Sequence, residues 1–236
     1  MMVYNKCLEL GCFPKVWKTA NITAIPKGDK SKSHSVSGYR GISLLSIPGK
    51  CLEKLLMSRL NYFLQSTGAV PLQQYGFTPG KSTADAIKSV TDFVHSSKQL
   101  GLKSCLLALD IAGAFDNAWH PSLLDRLSKL KCPANIYCTM RDFLQDRTAH
   151  FSMANSSCSK RMAKLGPQGS VSGPTIWNII ISDLIEQLSN IPNLEVVIYA
   201  DDIMLMFRGH THTHSLSTLT DVLIKTQDWC KATKSA

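Results

Sequence analysis

Three aspartates in this chain have the residue type and setting for chemistry. Asp201 and Asp202 are adjacent and lie between two apolar runs, residues 196–199 and 203–207, which read as the arms of a tight hairpin. Asp110 closes another short apolar run, residues 105–109, which reads as a buried strand. An Asp-Asp pair at a turn is commonly just a solvated turn. Here the arms are too apolar to face water on both sides, and burying an unpaired carboxylate is costly. Two central strands could bring the three carboxylates together as hard oxygen ligands suited to Mg²⁺. Two such ions can serve phosphoryl transfer, one activating a hydroxyl and the other steadying the leaving group. No Gly-rich Walker loop is present, which argues against a P-loop nucleotide hydrolase.

The elements around these residues follow from spacing. Gly28 to Gly38 is a Lys/Ser/Gly-rich loop that connects two strands. Pro48 and Gly49 open a helix with Leu52, Leu55, Leu56, Leu60 and Phe63 at amphipathic spacing, closed by Gly68 and Pro71. Ser82 and Asp85 have capping-box spacing and start a helix that carries Ile87, Val90 and Val94 on one face. Pro121 stands at a helix start. Ser172, Gly173 and Pro174 begin an almost wholly apolar helix that should be buried. Residues 215–234 are helical by period. Mixed helices and antiparallel strands predict an α+β fold with no evident linker.

Composition bounds the rest. A chain of 236 residues, 44% hydrophobic, can bury a sizeable core. Its net charge of +9 invites a polyanion, and the first 60 residues hold ten Lys or Arg against three acids, so +7 of the +9 sits in the first quarter. The bland alternative is a solvated basic face. Eight cysteines contain no CxxC pair and read as a reduced, intracellular set. No apolar stretch approaches the ~20 residues a membrane span needs, and the start lacks a basic segment followed by a hydrophobic one. The expected location is intracellular, nucleus or cytoplasm, not secreted and not in a membrane. His210, His212 and His214 alternate within a polar, Thr-rich stretch, residues 209–214, that reads as an exposed loop rather than a zinc site.

From about Phe13 to Trp229 the chain resembles the reverse transcriptases of non-LTR (LINE-type, jockey-like) retrotransposons. Tyr199-Ala200-Asp201-Asp202 resembles their YADD box. It follows, in the right order, Leu109-Asp110-Ile111 with Ala114-Phe115-Asp116 and His120, then the run Pro167-Gln168-Gly169-Ser170-Val171-Ser172-Gly173-Pro174. Ile25-Pro26-Lys27, the run from Tyr39 to Leu45, and Gln74-Tyr75-Gly76-Phe77 with Gly80-Lys81-Ser82-Thr83 favour the LINE-type class over retroviral enzymes.

The resemblance implies a right-hand polymerase, with fingers at about residues 1–100 and a palm at about 101–236 whose antiparallel sheet is flanked by helices. Asp110, Asp201, Asp202 and the backbone carbonyl of Ile111 would bind two Mg²⁺ ions, with Mn²⁺ able to substitute. Phe115 would gate the sugar of the incoming dNTP; otherwise it is plain core. Gln168 and Gly169 would line the nucleotide pocket. Lys27 and Arg40 would hold triphosphate oxygens, Lys27 being otherwise a solvated loop lysine. The implied partners are an RNA template, a DNA primer and dNTPs. Asp116, Asn117 and His120 match the pattern without a derivable role.

Three positions depart from that pattern: Gly41 where proline is usual, Gly166 where a β-branched residue is usual, and Ser172 for a common leucine. The chain also ends at Ala236 without the thumb such enzymes carry, and without endonuclease or ribonuclease H segments. A truncated, inactive nucleic-acid-binding remnant is therefore the alternative to an active polymerase. A viral RNA-directed RNA polymerase is the more distant reading, disfavoured by Ala200 and Phe115.

Overall fold

The computed structural model describes residues 2–26, 28, 35, 38–111, 119–153, 156–162 and 170–233, with the side chains of Arg40, Met153 and residues 212–217 left aside. Contacts divide the chain into two compact units. The first holds residues 1–66 and 115–173, the second 67–114 and 174–236. Each is discontinuous in sequence, so neither coincides with a cut near residue 100.

In the first unit, α1 (Met2–Leu10) and a single 3-10 turn (Lys15–Trp17) lead into β1 (Thr19–Pro26) and β2 (Tyr39–Leu45). The two strands pair antiparallel from Ala20 opposite Leu45 to Pro26 opposite Tyr39, as the intervening polar loop predicts. α2 (Ile47–Ser66) follows. Its start is capped by the Ser46 hydroxyl, which accepts from the Gly49 N–H at 3.3 Å. Leu52, Leu56, Leu60 and Leu64 recur every fourth residue and are buried, each side chain worth about 1.5–3 kcal/mol on transfer from water. Gly68 takes a left-handed φ of 64° just beyond the helix end, where glycine avoids the Cβ penalty.

Four elements of this unit carry no clear sequence signal. α1 is one, and α5 (Ala134–Leu144), after α4 (His120–Lys129), is another. The others are β4 (Thr148–Met153) and β5 (Ser156–Arg161), and all six residues of β5 are exposed, so it has no inside-outside alternation to read. β4 adds parallel to β1 and antiparallel to β5, giving a mixed sheet of order β2-β1-β4-β5. α5 docks through Phe143, whose ring meets Phe13 edge-on at 5.0 Å. Nearby, Lys18, 5% exposed, forms an ion pair of 2.9 Å with Asp142.

The second unit is built on a fully antiparallel sheet of order β3-β7-β6, from β3 (Lys103–Asp110), β6 (Leu194–Tyr199) and β7 (Asp202–Gly209). α3 (Thr83–Gln99) opens with the expected capping box, Ser82 and Asp85 exchanging hydrogen bonds with each other's backbone. It lays Ala86, Val90, Phe93 and Val94 against Val197, Met204 and Met206 on one sheet face. α6 (Gly173–Ser189) is buried nearly all round, as its sequence predicts; Ile176, Trp177, Ile181 and Leu184 have no exposed surface.

α7 (His212–Thr233) closes the described chain against β7 and β3. Its start corrects one expectation. The polar stretch 209–214 is not wholly a loop, because the helix begins at His212. Thr211, a residue type favoured at helix N-caps, stands immediately before it. His210 is exposed, and the side chains of His212 and His214 lie outside those described. No described helix is long and apolar enough to cross a membrane.

Candidate active site

The β6–β7 hairpin is as tight as its sequence implies. Tyr199 pairs with Asp202, leaving Ala200 and Asp201 as a two-residue loop. Ala200 takes the positive φ, 58°, at the first loop position, where hairpin turns favour glycine. On the other side of β7, Asp202 pairs with Asp110, the last residue of β3. Asp110, Asp202 and Tyr199 therefore point to one face of the sheet, at one end, with Asp201 next in the chain. Directly opposed side chains in an antiparallel pair have Cβ atoms about 4.5–5.5 Å apart.

The expectation of burial needs correction. Asp110 and Asp202 are exposed and Asp201 is half-buried, so water meets much of their charge. The strand pairing explains this: all three sit at the sheet's end, beyond the part of the face that α3 covers. Ile111, whose carbonyl was the fourth expected ligand, is buried at 6% exposure. Among the described residues, no Lys or Arg forms an ion pair with any of the three aspartates. Nor do three or more acidic, His or Cys side chains there converge as a ready-made metal cage. The donors fit a hard divalent cation in type: opposed carboxylates repel one another, and nothing described neutralises them.

A cleft of about 380 Å³ adjoins the pair on the same face, between the N-terminal half of α3 and the sheet. Its walls include Ile87, Val90, Met204 and Tyr199, with Asp110 and Asp202 at its polar end.

The hairpin is held by residues to which the sequence assigns no role. Residues 73–76 run beside β6 as a short parallel strap: Tyr75 N–H donates to the Ile198 carbonyl at 2.8 Å, and Ile198 N–H to the Gln73 carbonyl at 2.9 Å. Gly76 then lies against the turn so closely that a Cβ there would come within 2.2 Å of the Ala200 nitrogen. Gln74, fully buried, accepts from the Gly76 N–H at 2.8 Å through its side-chain oxygen. From α6, Asn178 donates to the Gly76 carbonyl at 3.1 Å, and the Trp177 indole N–H to the Ala200 carbonyl at 2.8 Å. The strap, the turn and α6 are thus tied through backbone groups on both sides of Ala200. Gly76 shows in the sequence only as part of a motif, and no local signal singles out Trp177 or Asn178 within an apolar helix.

Of the other expected site residues, Lys27, Phe115, Gln168 and Gly169 lie outside the described residues. Arg40 is described through its backbone, which pairs opposite Ile25 in the β1–β2 hairpin.

Comparisons with known proteins bear on this arrangement. The model of the family "Reverse transcriptase (RNA-dependent DNA polymerase)" matches residues 25–235. Relatives include the RNA-directed DNA polymerase from mobile element jockey of Drosophila melanogaster, 33% identical over 98% of this chain and 25% of that protein. The probable RNA-directed DNA polymerase from transposon BS of the same organism is 32% identical over 98% of this chain and 26% of its own length. The chain thus spans about a quarter of these relatives.

Among solved structures, apo telomerase from Candida tropicalis superposes with a TM-score of 0.64 at 11% identity, covering 87% of this chain and 41% of that one. Telomerase from Candida albicans, in complex with a fragment of telomeric RNA, gives 0.60 at 13% identity, over 94% of this chain and 42% of that one. That likeness is one of fold. With the expected order of strands and carboxylates in place and a family model matched over most of its length, the chain belongs to the reverse transcriptase (RNA-dependent DNA polymerase) family.

Proposed function

We propose that this chain is the catalytic core of a retrotransposon RNA-directed DNA polymerase, adding dNTPs to a DNA primer on an RNA template. The observation that carries this reading is the register of Asp110 opposite Asp202, with Asp201 in the turn beside them and no described cation to neutralise the group.

Asp110, Asp201 and Asp202, with the Ile111 carbonyl, would hold divalent ions, Mg²⁺ in the first place. When bound, two such ions supply activation of the primer 3′-hydroxyl and charge neutralisation at the leaving pyrophosphate. In the reaction the 3′-oxygen loses its proton and bonds the α-phosphorus of the dNTP, and the bond from that phosphorus to the bridging oxygen breaks. The protein's share is placement. The strap at 73–76 and the Trp177 indole hold the Ala200 turn, so that Asp201 and Asp202 meet the substrate from a rigid end of the sheet. Lys27 and Arg40 would take triphosphate oxygens, Gln168 and Gly169 the nucleotide, and Phe115 the sugar face.

On this reading the three-stranded sheet belongs to the palm and the four-stranded sheet to the fingers. Hydrogen bonding of β4 to β1 then draws residues 148–161 away from the palm span set by sequence order. The basic first quarter suits the phosphates of a template, and the chain would act inside the cell, in nucleus or cytoplasm.

The test is Mg²⁺-dependent extension of a DNA primer on an RNA template, comparing the chain with its Asp201→Asn, Asp202→Asn variant. Extension by the wild type alone supports the proposal. Salt-sensitive RNA binding without extension by either protein would refute it in favour of an inactive nucleic-acid-binding core.

A further inference from the structure

α2 carries one acid on its buried face. Glu53 is 1% exposed, amid leucines that account for that face without it. Its Oε1 accepts a hydrogen bond of 2.8 Å from the backbone N–H of Ser172, 119 residues away. Its Oε2 has no partner among the described residues. Arg147, 5% exposed, is a buried cation that attracts Glu53 without an ion-pair contact to it; it donates to the Phe143 carbonyl at 3.2 Å and lies over the Phe143 ring.

A carboxylate buried at this depth costs several kcal/mol, which hydrogen bonds and a nearby cation must offset. Packing α2 does not require it, since Met or Leu would fill the same space. The group it reaches gives the reason. Ser172 is the residue before α6 and lies four positions after Gln168 and three after Gly169. The segment's own contact there is short-range: Ser170 Oγ accepts from the Gly173 N–H at 3.3 Å. Among the described residues, the Glu53 carboxylate ties Ser172 to a distant element.

We propose that Glu53 is a positioning residue for the nucleotide pocket: its buried carboxylate fixes the Ser172 backbone against α2, three residues after Gly169 in the chain. Its functional consequence rests on the polymerase reading above; the anchoring itself does not. The role belongs to an acceptor atom, not to a negative charge as such. A neutral acceptor at position 53 should therefore serve once Arg147 no longer needs a counter-charge.

The experiment uses two double variants of the full chain, Glu53→Gln with Arg147→Met and Glu53→Met with Arg147→Met. Both remove the two buried charges together, so neither leaves an uncompensated charge and both should fold. Amide hydrogen exchange of the peptide spanning 165–175, and the KM for dNTP against that for primer-template, are the readouts. The expected result is faster exchange only in the variant carrying Glu53→Met. Its KM for dNTP rises about tenfold, for one lost buried hydrogen bond, while its kcat and its KM for primer-template hold. The variant carrying Glu53→Gln should retain wild-type values. Equal exchange in the two variants overturns the anchor. Faster exchange with an unchanged dNTP KM overturns its role in the pocket. If the wild-type chain extends no primer, the polymerase reading and the pocket role fall, and exchange alone decides the anchor.

Discussion

Replacing Gly76 by alanine tests the claim that the aspartate turn is held from behind. The substitution adds one methyl group at a position whose φ is ordinary, so backbone strain at residue 76 is not the issue. The added Cβ would stand 2.2 Å from the Ala200 nitrogen, 2.9 Å from its Cα and 3.0 Å from the Tyr199 carbonyl carbon. All three are backbone atoms, which cannot rotate away. Restoring an ordinary contact of 3.4 Å requires the strap and the turn to part by about 1.2 Å. That movement strains the bonds from Asn178 to Gly76 and from Trp177 to Ala200.

Overpacking of this kind costs about 1–3 kcal/mol, a fall in Tm of roughly 2–12 °C for a chain of this size. If the aspartates act as proposed, a displacement near 1 Å lowers turnover about 100-fold. Thermal melting and steady-state primer extension at 25 °C, where the variant stays folded, separate the two effects. Gly41→Ala is the control: its Cβ would meet only Ile22 Cγ2 at 3.4 Å, so it should be neutral or stabilise by up to about 1 kcal/mol. Wild-type melting and extension by Gly76→Ala would refute the reasoning.

Three further outcomes are expected. Trp177→Phe keeps the buried ring but removes the donor to the Ala200 carbonyl, and should cost about 1–3 kcal/mol in denaturant titration; a smaller loss means that carbonyl finds another partner. Asp202→Asn relieves repulsion with Asp110 and should stabilise the metal-free chain by about 0.2–1 kcal/mol, while abolishing any rise in Tm on adding Mg²⁺. Retention of that rise would remove Asp202 from the proposed metal site. Burial raises the Cys132 thiol from 9.0 to about 11, so the folded chain favours the thiol where the unfolded chain favours the thiolate. Stability from this group should hold below pH 9 and fall between pH 9 and 11, and at pH 8 iodoacetamide should label exposed Cys51 and Cys158 well before Cys132.

Elements with strong local rules were legible in the residues alone. The capping box at Ser82, the leucine spacing of α2, the apolar length of α6 and the two arms flanking Asp201 each state their structure within a few residues. The aspartates could be named for the same reason, being polar groups at the ends of apolar runs. Local rules also misled. Apolar arms suggested buried carboxylates, but exposure depends on where α3 stops on the sheet face. The polar, Thr-rich stretch 209–214 suggested a loop, but a helix starts at His212.

β4 and β5 show the limit from the other side. Their residues are mostly polar, and they are strands because β1 offers β4 an edge from more than 120 positions away in the chain. Asp110 meets Asp202 across 92 residues, Asn178 meets Gly76 across 102, and Glu53 meets Ser172 across 119. Backbone atoms take part in the last two, and every residue has the same backbone. A contact made by such atoms leaves no mark on the choice of side chain unless, as at Gly76, there is no room for one. Residue type could therefore show which groups are able to do chemistry, while tertiary packing alone determines what holds them still.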